Sequence, residues 1–172
     1  MKHTNYEFKA RLRNEDQVRA TLRRLRARLV GTDRQVDTYF RVPNGRLKVR
    51  EGKIENGLIY YERSNSPRAR RARIEMMFLP RRNSVRAILQ RSLEVLAVVR
   101  KRREIYFVGN VKIHLDRVPG LGRFVEVEAI SRSKGLEKVR AQARKYQKLF
   151  GISRADLVSE SYSDLVLKKL RH

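Results

Sequence analysis

Several short runs of this chain alternate charge with bulk, residue by residue. Asn5-Tyr6-Glu7-Phe8-Lys9 is followed by Ala10, and Phe124-Val125-Glu126-Val127-Glu128 repeats the pattern with two carboxylates. Arg46-Leu47-Lys48-Val49-Arg50 repeats it with cations, and Lys112-Ile113-His114-Leu115-Asp116 with mixed charge. In an extended strand, residues two apart share a face. Asn5, Glu7 and Lys9 therefore lie on one face, with Tyr6, Phe8 and Ala10 on the other. An alternating strand ordinarily turns its apolar face inward and its charged face to water. If the charged faces of several strands close on one another instead, they line a channel of a few carboxylates and many cations. Such a channel suits a polyphosphate bound with a divalent metal.

The rest of the composition limits the alternatives. A chain of 172 residues is expected to form one domain, 1–172. Its 42 Lys and Arg against 18 Asp and Glu leave a net charge of +24, which points to a polyanionic or acidic partner. With no cysteine, a disulfide framework and a thiolate metal site are both excluded. Apolar runs are short and broken by charge, and the first residues lack the apolar stretch of a signal peptide. A soluble, cytoplasmic protein with no membrane partner is expected.

Residues 4–12 read as a strand. Asn14 caps a helix over 15–30, with Val18, Leu22, Leu25 and Leu29 on its apolar face and Gly31 at its end. Strands follow at 34–42, 46–51 and 58–64, separated by Asn44-Gly45 and Asn56-Gly57 turns. Ser64 to Arg71 reads as a loop with Pro67 and a basic run (Arg68, Arg70, Arg71, Arg73), then a strand at 72–79. Ser84 is placed to cap a helix over 85–96, through Val85, Ile88, Leu89, Leu93 and Leu96. Strands at 97–108, 111–117 and 123–130 and a helix at 134–150 complete the main body. Ser153 and either Ser161 or Ser163 cap two short terminal helices. The class is α+β: about eight antiparallel strands with helices at the edges.

Sorting the strands by parity gives one candidate interior. Its carboxylates are Glu7, Asp116, Glu126 and Glu128; its cations are Lys9, Arg11, Arg46, Lys48, Arg50, Lys101, Arg103 and Lys112, with His114 among them. Oxygen ligands without a thiolate suit Mg2+ or Mn2+, and Arg and Lys neutralise the remaining phosphate charge. The competing reading is a solvated sheet face with cross-strand ion pairs.

Asn5-Tyr6-Glu7-Phe8-Lys9 resembles the Glu-x-Glu-x-Lys signature of the CYTH domain, the triphosphate tunnel metalloenzymes. The resemblance continues through Gln35 to Phe40, Gly45 to Gly52, Leu58 to Arg63, Val99 to Tyr106, His114 to Asp116, Gly120 to Gly122, Glu126 to Glu128 and Ser161 to Leu165. It is nearest to the bacterial class IV adenylate cyclase-like branch. It implies an eight-stranded antiparallel β-barrel, a triphosphate tunnel with peripheral helices. It implies Glu7, Glu126 and Glu128 as metal ligands and Lys9, Arg50, Lys101, Arg103 and Lys112 as phosphate-binding residues; Lys48, of the same parity, is expected to join them. Asp116, beside the reacting phosphate, and Lys9 are the implied catalytic residues, with His114 in a smaller role. Two positions depart from the pattern. Asn5 stands where the signature has its first Glu, and Glu62 where many members have a Lys, which leaves Arg63 to take that phosphate contact.

Two activities share these residues: cyclisation of ATP to cyclic AMP with release of pyrophosphate, and hydrolysis of tripolyphosphate or thiamine triphosphate. A third reading, from another class, is a non-catalytic polyphosphate or RNA binder. RNA recognition by stacking wants exposed aromatics among the arginines, and the run 68–73 has none, so nucleic acid is the less favoured partner. ATP or another triphosphate is the expected partner, and a homodimer is left open.

Overall fold

The structure is a computed structural model that describes residues 2–63, 66, 69–131 and 136–171. The expected loop residues Ser64, Pro67 and Arg68 and the expected helix start at 134 lie outside these. Eight strands form: β1 (Lys2–Arg11), β2 (Arg28–Phe40), β3 (Arg46–Glu51), β4 (Gly57–Arg63), β5 (Arg70–Phe78), β6 (Val95–Val108), β7 (Val111–Val118) and β8 (Gly122–Ser131). They close into a barrel in the order β1-β5-β4-β3-β2-β6-β7-β8, every pairing antiparallel. Four helices accompany them: α1 (Glu15–Arg24), α2 (Val85–Ser92), α3 (Leu136–Leu149) and α4 (Tyr162–Leu170), with a 3-10 turn at Arg154–Asp156. None of these helices is long and apolar enough to cross a membrane.

The apolar core lies mostly outside the barrel. Phe8 and Ala10 of β1, Ile113 and Leu115 of β7 and Val125 and Val127 of β8 project outward and pack under α1 and α3. Val18 and Leu22 of α1 and Val139, Ala143 and Tyr146 of α3 cover them. Fully burying each of the Phe, Val, Ile and Leu side chains among these stabilises the fold by about 1.5–3 kcal/mol. A second apolar cluster, inside the barrel, joins Tyr39, Tyr61, Val99, Val118 and Phe124 to Tyr162 and Leu165 of α4. Helix α4 thus lies across the end formed by the starts of β3, β6 and β8. Ser161, rather than Ser163, caps it: its hydroxyl accepts from the Asp164 N–H while the Asp164 carboxylate accepts from the Ser161 N–H.

Asn14 caps α1 as its sequence predicts, accepting from the Gln17 N–H at 3.0 Å. The helix then stops at Arg24, six residues before the expected end. Arg26 adopts a positive φ of 50°, and the chain enters β2 at Arg28. Leu29, expected on the helix face, is 53% exposed on that strand. The 4-3-4 spacing of Val18, Leu22, Leu25 and Leu29 permits a longer helix, but pairing of Arg28 and Leu29 with Phe107 and Tyr106 of β6 prevails. Gly31 sits at the register shift of that pairing instead of ending a helix. Helix α2 likewise ends at Ser92, because Leu93 is extended and Leu96 belongs to β6. Ser84 precedes α2 without a side-chain capping bond, and no residue of α2 is buried. At the Asn44-Gly45 turn, Gly45 has φ +66° and a Cβ there would lie 2.6 Å from the Tyr60 hydroxyl, so the turn requires glycine.

Candidate active site

The barrel encloses a cavity of about 310 Å³. Its walls include Glu7 and Lys9 from β1, Lys48 and Arg50 from β3, Arg63 from β4, Arg103 from β6, Lys112 from β7 and Glu126 and Glu128 from β8. The pleat explains this convergence, since each residue has the inward parity of its strand. Glu62 points outward and accepts from the Tyr60 hydroxyl, while Arg63 faces in. Two residues of the sequence-derived interior lie elsewhere. Arg11 is exposed and donates to the Leu121 carbonyl, and Arg46 is paired with Asp164 at the α4 end. Arg70, read from sequence as part of a basic loop, is buried and lies 3.8 Å from Glu7. Strand β5 starts two residues earlier than expected, and that puts Arg70 on its inward face. Arg71, Arg73, Arg81 and Arg82 are exposed.

Every expected phosphate-binding cation is paired with a carboxylate. Asp37 on β2, fully buried, accepts from Lys48 Nζ at 2.8 Å, Lys101 Nζ at 2.7 Å, and Arg50 Nε and Nη2 at 2.8 and 2.9 Å. Burial alone would raise its carboxyl, but Arg50, Lys101 and Lys48 hold it well below the usual carboxylate range. Burial draws the Lys101 ammonium down to about 7, opposed by Asp37 and helped by Arg50, Arg103 and Lys48. Glu55 takes the other side of Arg50 at 2.6 Å and also bonds Lys112. It is carried by the β3–β4 loop, which Asp33 fixes by accepting from the Lys53 and Glu55 N–H groups at 2.7 and 3.0 Å. A Cβ on Gly52 would meet Asp33 Oδ2 at 2.4 Å, so only glycine permits this approach.

Arg103 donates to Asp116 twice, from Nε at 2.7 Å and Nη2 at 2.5 Å, and Nη2 reaches Glu126 at 2.6 Å. Tyr162 donates to Asp116 Oδ2 at 2.7 Å. Both oxygens of Asp116 are therefore engaged. Lys9 lies 3.2 Å from Glu126 and 3.7 Å from the Tyr162 ring centroid, a cation–π contact. Burial lowers its ammonium, with Glu126 opposing. Arg63 donates to Glu7 at 2.9 Å. Burial raises the Glu7 carboxyl; Arg63 opposes this, and Glu128 and Glu126 add to it.

One group has the chemistry of a metal site. A ring nitrogen of His114 and one carboxylate oxygen each from Glu126 and Glu128 lie within 4.8 Å of one another. His114 Nδ1 is 3.6 Å from Glu126 and 3.7 Å from Glu128, beyond hydrogen-bond length. His114 is 1% exposed, and neither of its ring nitrogens has a hydrogen-bond partner. The buried Asn5 carbonyl oxygen is also without one, while its amide nitrogen donates to Glu128 at 3.4 Å. Leaving such buried atoms unmatched costs about 1–3 kcal/mol each. A cation between the two carboxylates and the imidazole fits this donor set. Glu7 lines the same cavity but is engaged by Arg63, and His114 takes a larger place than its sequence position suggests.

Comparison with known proteins agrees with this geometry. The family model described as CYTH domain matches residues 3–162. The PH1012 protein of Pyrococcus horikoshii OT3 superposes with a TM-score of 0.77 at 23% identity, covering 94% of this chain and 98% of its own. A candidate adenylate cyclase from Vibrio parahaemolyticus gives 0.77 at 22%, covering 95% and 97%. A candidate adenylyl cyclase from Hippeastrum, described with a dominant triphosphatase activity, gives 0.59 at 14%, covering 98% and 96%. No curated protein sequence matches significantly. With its closed eight-stranded barrel, its charged interior and a family match over nearly its whole length, the chain belongs to the CYTH domain family.

Proposed function

We propose that this chain is a metal-dependent enzyme acting on a triphosphate held inside the barrel, with cyclisation of ATP to cyclic AMP and pyrophosphate as its first activity. The observation that carries the reading is the convergence of six cations on a cavity whose wall also holds the Glu126 and Glu128 carboxylates, with His114 beside them. A triphosphate entering the cavity takes over cations now held by Asp37, Glu55, Glu7, Glu126 and Asp116. Lys9, Lys48, Arg50, Arg63, Lys101, Arg103 and Lys112 then bind phosphate oxygens, with the arginines able to do so bidentately. Glu126, Glu128 and His114 hold the divalent ion, with Glu7 beside them. When bound, that ion supplies charge neutralisation at the reacting phosphate. An imidazole among carboxylates favours Mn2+ over Mg2+, the other ion of the same chemistry. Asp116 keeps Arg103 and Tyr162 in place, so its effect on the reaction passes through Arg103.

Hydrolysis of the triphosphate is the second reading. It uses the same cations and metal group and differs only in nucleophile, water in place of the ribose 3′-hydroxyl. The triphosphatase activity described for the Hippeastrum relative supports it. Incubating the full chain with ATP, and separately with tripolyphosphate, plus Mg2+ or Mn2+ separates the readings. Cyclic AMP with pyrophosphate supports the cyclase; orthophosphate supports the hydrolase. Absence of any metal-dependent product contradicts both.

A further inference from the structure

The outer wall of the barrel carries a row of arginines in register. Arg34 on β2 pairs with Arg102 on β6, Arg102 with Arg117 on β7, and Arg117 with Arg123 on β8. All four are exposed, and each has the outward parity of its strand. The basic surface continues past both ends of the row. Asp33 accepts from the Lys53 N–H, which brings exposed Lys53 near Arg34. At the other end the Leu12 N–H donates to the Arg123 carbonyl, and exposed Arg13 follows Leu12. Arg100, also exposed, shares the outward face of β6 with Arg102.

Like charges directly opposite one another on neighbouring strands destabilise a sheet. This row therefore works against folding in the free chain. Two carboxylates relieve it in part. Glu15 accepts from Arg123 at 2.8 Å and from Arg117 at 3.4 Å, and Glu104 lies 3.7 Å from Arg102. Both are shared with Arg19, which bonds Glu15 at 2.6 Å and Glu104 at 2.8 Å. Among the described residues, no carboxylate pairs with Arg34 or Arg100. A second copy of the chain is a poor complement, because the exposed Glu75, Glu94 and Glu137 already have cations of their own.

The shape of the row points to a long polyanion. It crosses four strands, and three strand spacings make it about 14 Å long. The major groove of B-form DNA is about 12 Å wide, so the two ends of the row reach phosphates on both sides of that groove. Single strands are gripped by stacking bases on exposed aromatic side chains. On these four strands Tyr39, Phe40, Tyr106 and Phe124 are buried, and Phe107 faces the cavity. Duplex RNA is read largely through its 2′-hydroxyls, which offer a donor as well as an acceptor, whereas guanidinium groups only donate.

We propose that the Arg34–Arg102–Arg117–Arg123 row is a docking surface for the phosphate backbone of duplex DNA, separate from the tunnel and indifferent to base sequence. The row lies on the outward face of the strands whose inward face carries Lys101, Arg103 and Asp116, so the tunnel and the surface use opposite parities of the same elements.

The test is binding of the full chain to a fluorescent DNA duplex of about 20 base pairs, two helical turns, over a range of salt concentrations. Four phosphate contacts predict that log K falls against log salt with a slope of about −3.6. Arg34→Gln combined with Arg102→Gln should reduce the slope to about −1.8, two contacts fewer. Arg34→Lys combined with Arg102→Lys keeps the charges and should keep the slope. Absence of duplex binding at low salt overturns the proposal. An unchanged slope in the glutamine variant overturns it as well, since binding then lies elsewhere on the chain. Tighter binding of a single strand or of an RNA duplex of the same length overturns the assignment to duplex DNA. Equal affinity for a polyglutamate peptide of matched charge would instead make the row a docking surface for acidic protein.

Discussion

Lys101 Nζ lies 2.7 Å from Asp37 Oδ2, and both residues are shielded from solvent in the barrel interior. Lys48 and Arg50 bond the same carboxylate, so a single acid holds three cations that would otherwise repel one another. In the free chain, Asp37 occupies the electrostatic place that the proposed substrate would take.

Replacing Asp37 with Asn should therefore destabilise the free chain by about 3–5 kcal/mol, the usual result of stranding buried charge. Urea denaturation measures this. Saturating tripolyphosphate should recover much of the loss, since an anion that binds only the folded form stabilises it. A loss below ~1 kcal/mol would show that the three cations do not depend on Asp37.

Lys101 gives a proton signature. Its folded value of about 7 lies below the unfolded one, so folding disfavours the charged form. That penalty is complete below about pH 7 and fades as pH climbs toward about 10.4, where the unfolded lysine also loses its proton. A bound polyanion reverses the preference and raises the ammonium. Binding of tripolyphosphate at pH 8 should therefore take up protons, seen as a binding enthalpy that varies with the ionisation enthalpy of the buffer. Lys101→Met should reduce the uptake. Identical enthalpies in two such buffers would exclude the coupling.

Glu55 pairs with Arg50 and Lys112, so in the proposed complex it would compete with phosphate for both. Glu55→Gln should tighten tripolyphosphate binding by about tenfold, the worth of one charge-assisted hydrogen bond no longer exchanged. Titration calorimetry decides it, and weaker binding in the variant would mean that Glu55 supports the site instead of competing with its ligand.

Asp116→Asn should lower kcat by about 10²-fold while changing KM less than twofold, because a misaligned Arg103 fails mainly where charge develops in the transition state. His114→Asn should instead weaken metal binding. An unaltered kcat in Asp116→Asn would remove Asp116 from the reaction.

Much of this was legible in the alternation alone. Glu7, Lys9, Lys48, Arg50, Lys112, Glu126 and Glu128 line the cavity because each has the inward parity of a strand whose outward residues are apolar. The same parity joins Asp33, Gln35, Asp37 and Tyr39, so Asp37 carried a signal. It was easy to pass over because its role depends on three cations from two other strands. Glu55 carried none: it belongs to a loop, and its position depends on Asp33 and Gly52 rather than on any period. Helix periodicity failed where apolar residues continue from a helix into a strand, at Leu29 and Leu96. Periodicity records which residues want burial, and strand pairing decides the conformation in which they find it.

The central claim is that divalent metal and triphosphate are held together in this barrel by Glu126, Glu128 and His114. Its most direct test is the affinity of the full chain for tripolyphosphate with and without Mn2+, measured in parallel for Glu128→Gln. The account predicts that Mn2+ tightens binding to the parent by about tenfold or more, one extra ionic contact's worth, and that Glu128→Gln abolishes the gain. An affinity indifferent to Mn2+ in the parent, or a gain fully retained in Glu128→Gln, would contradict it.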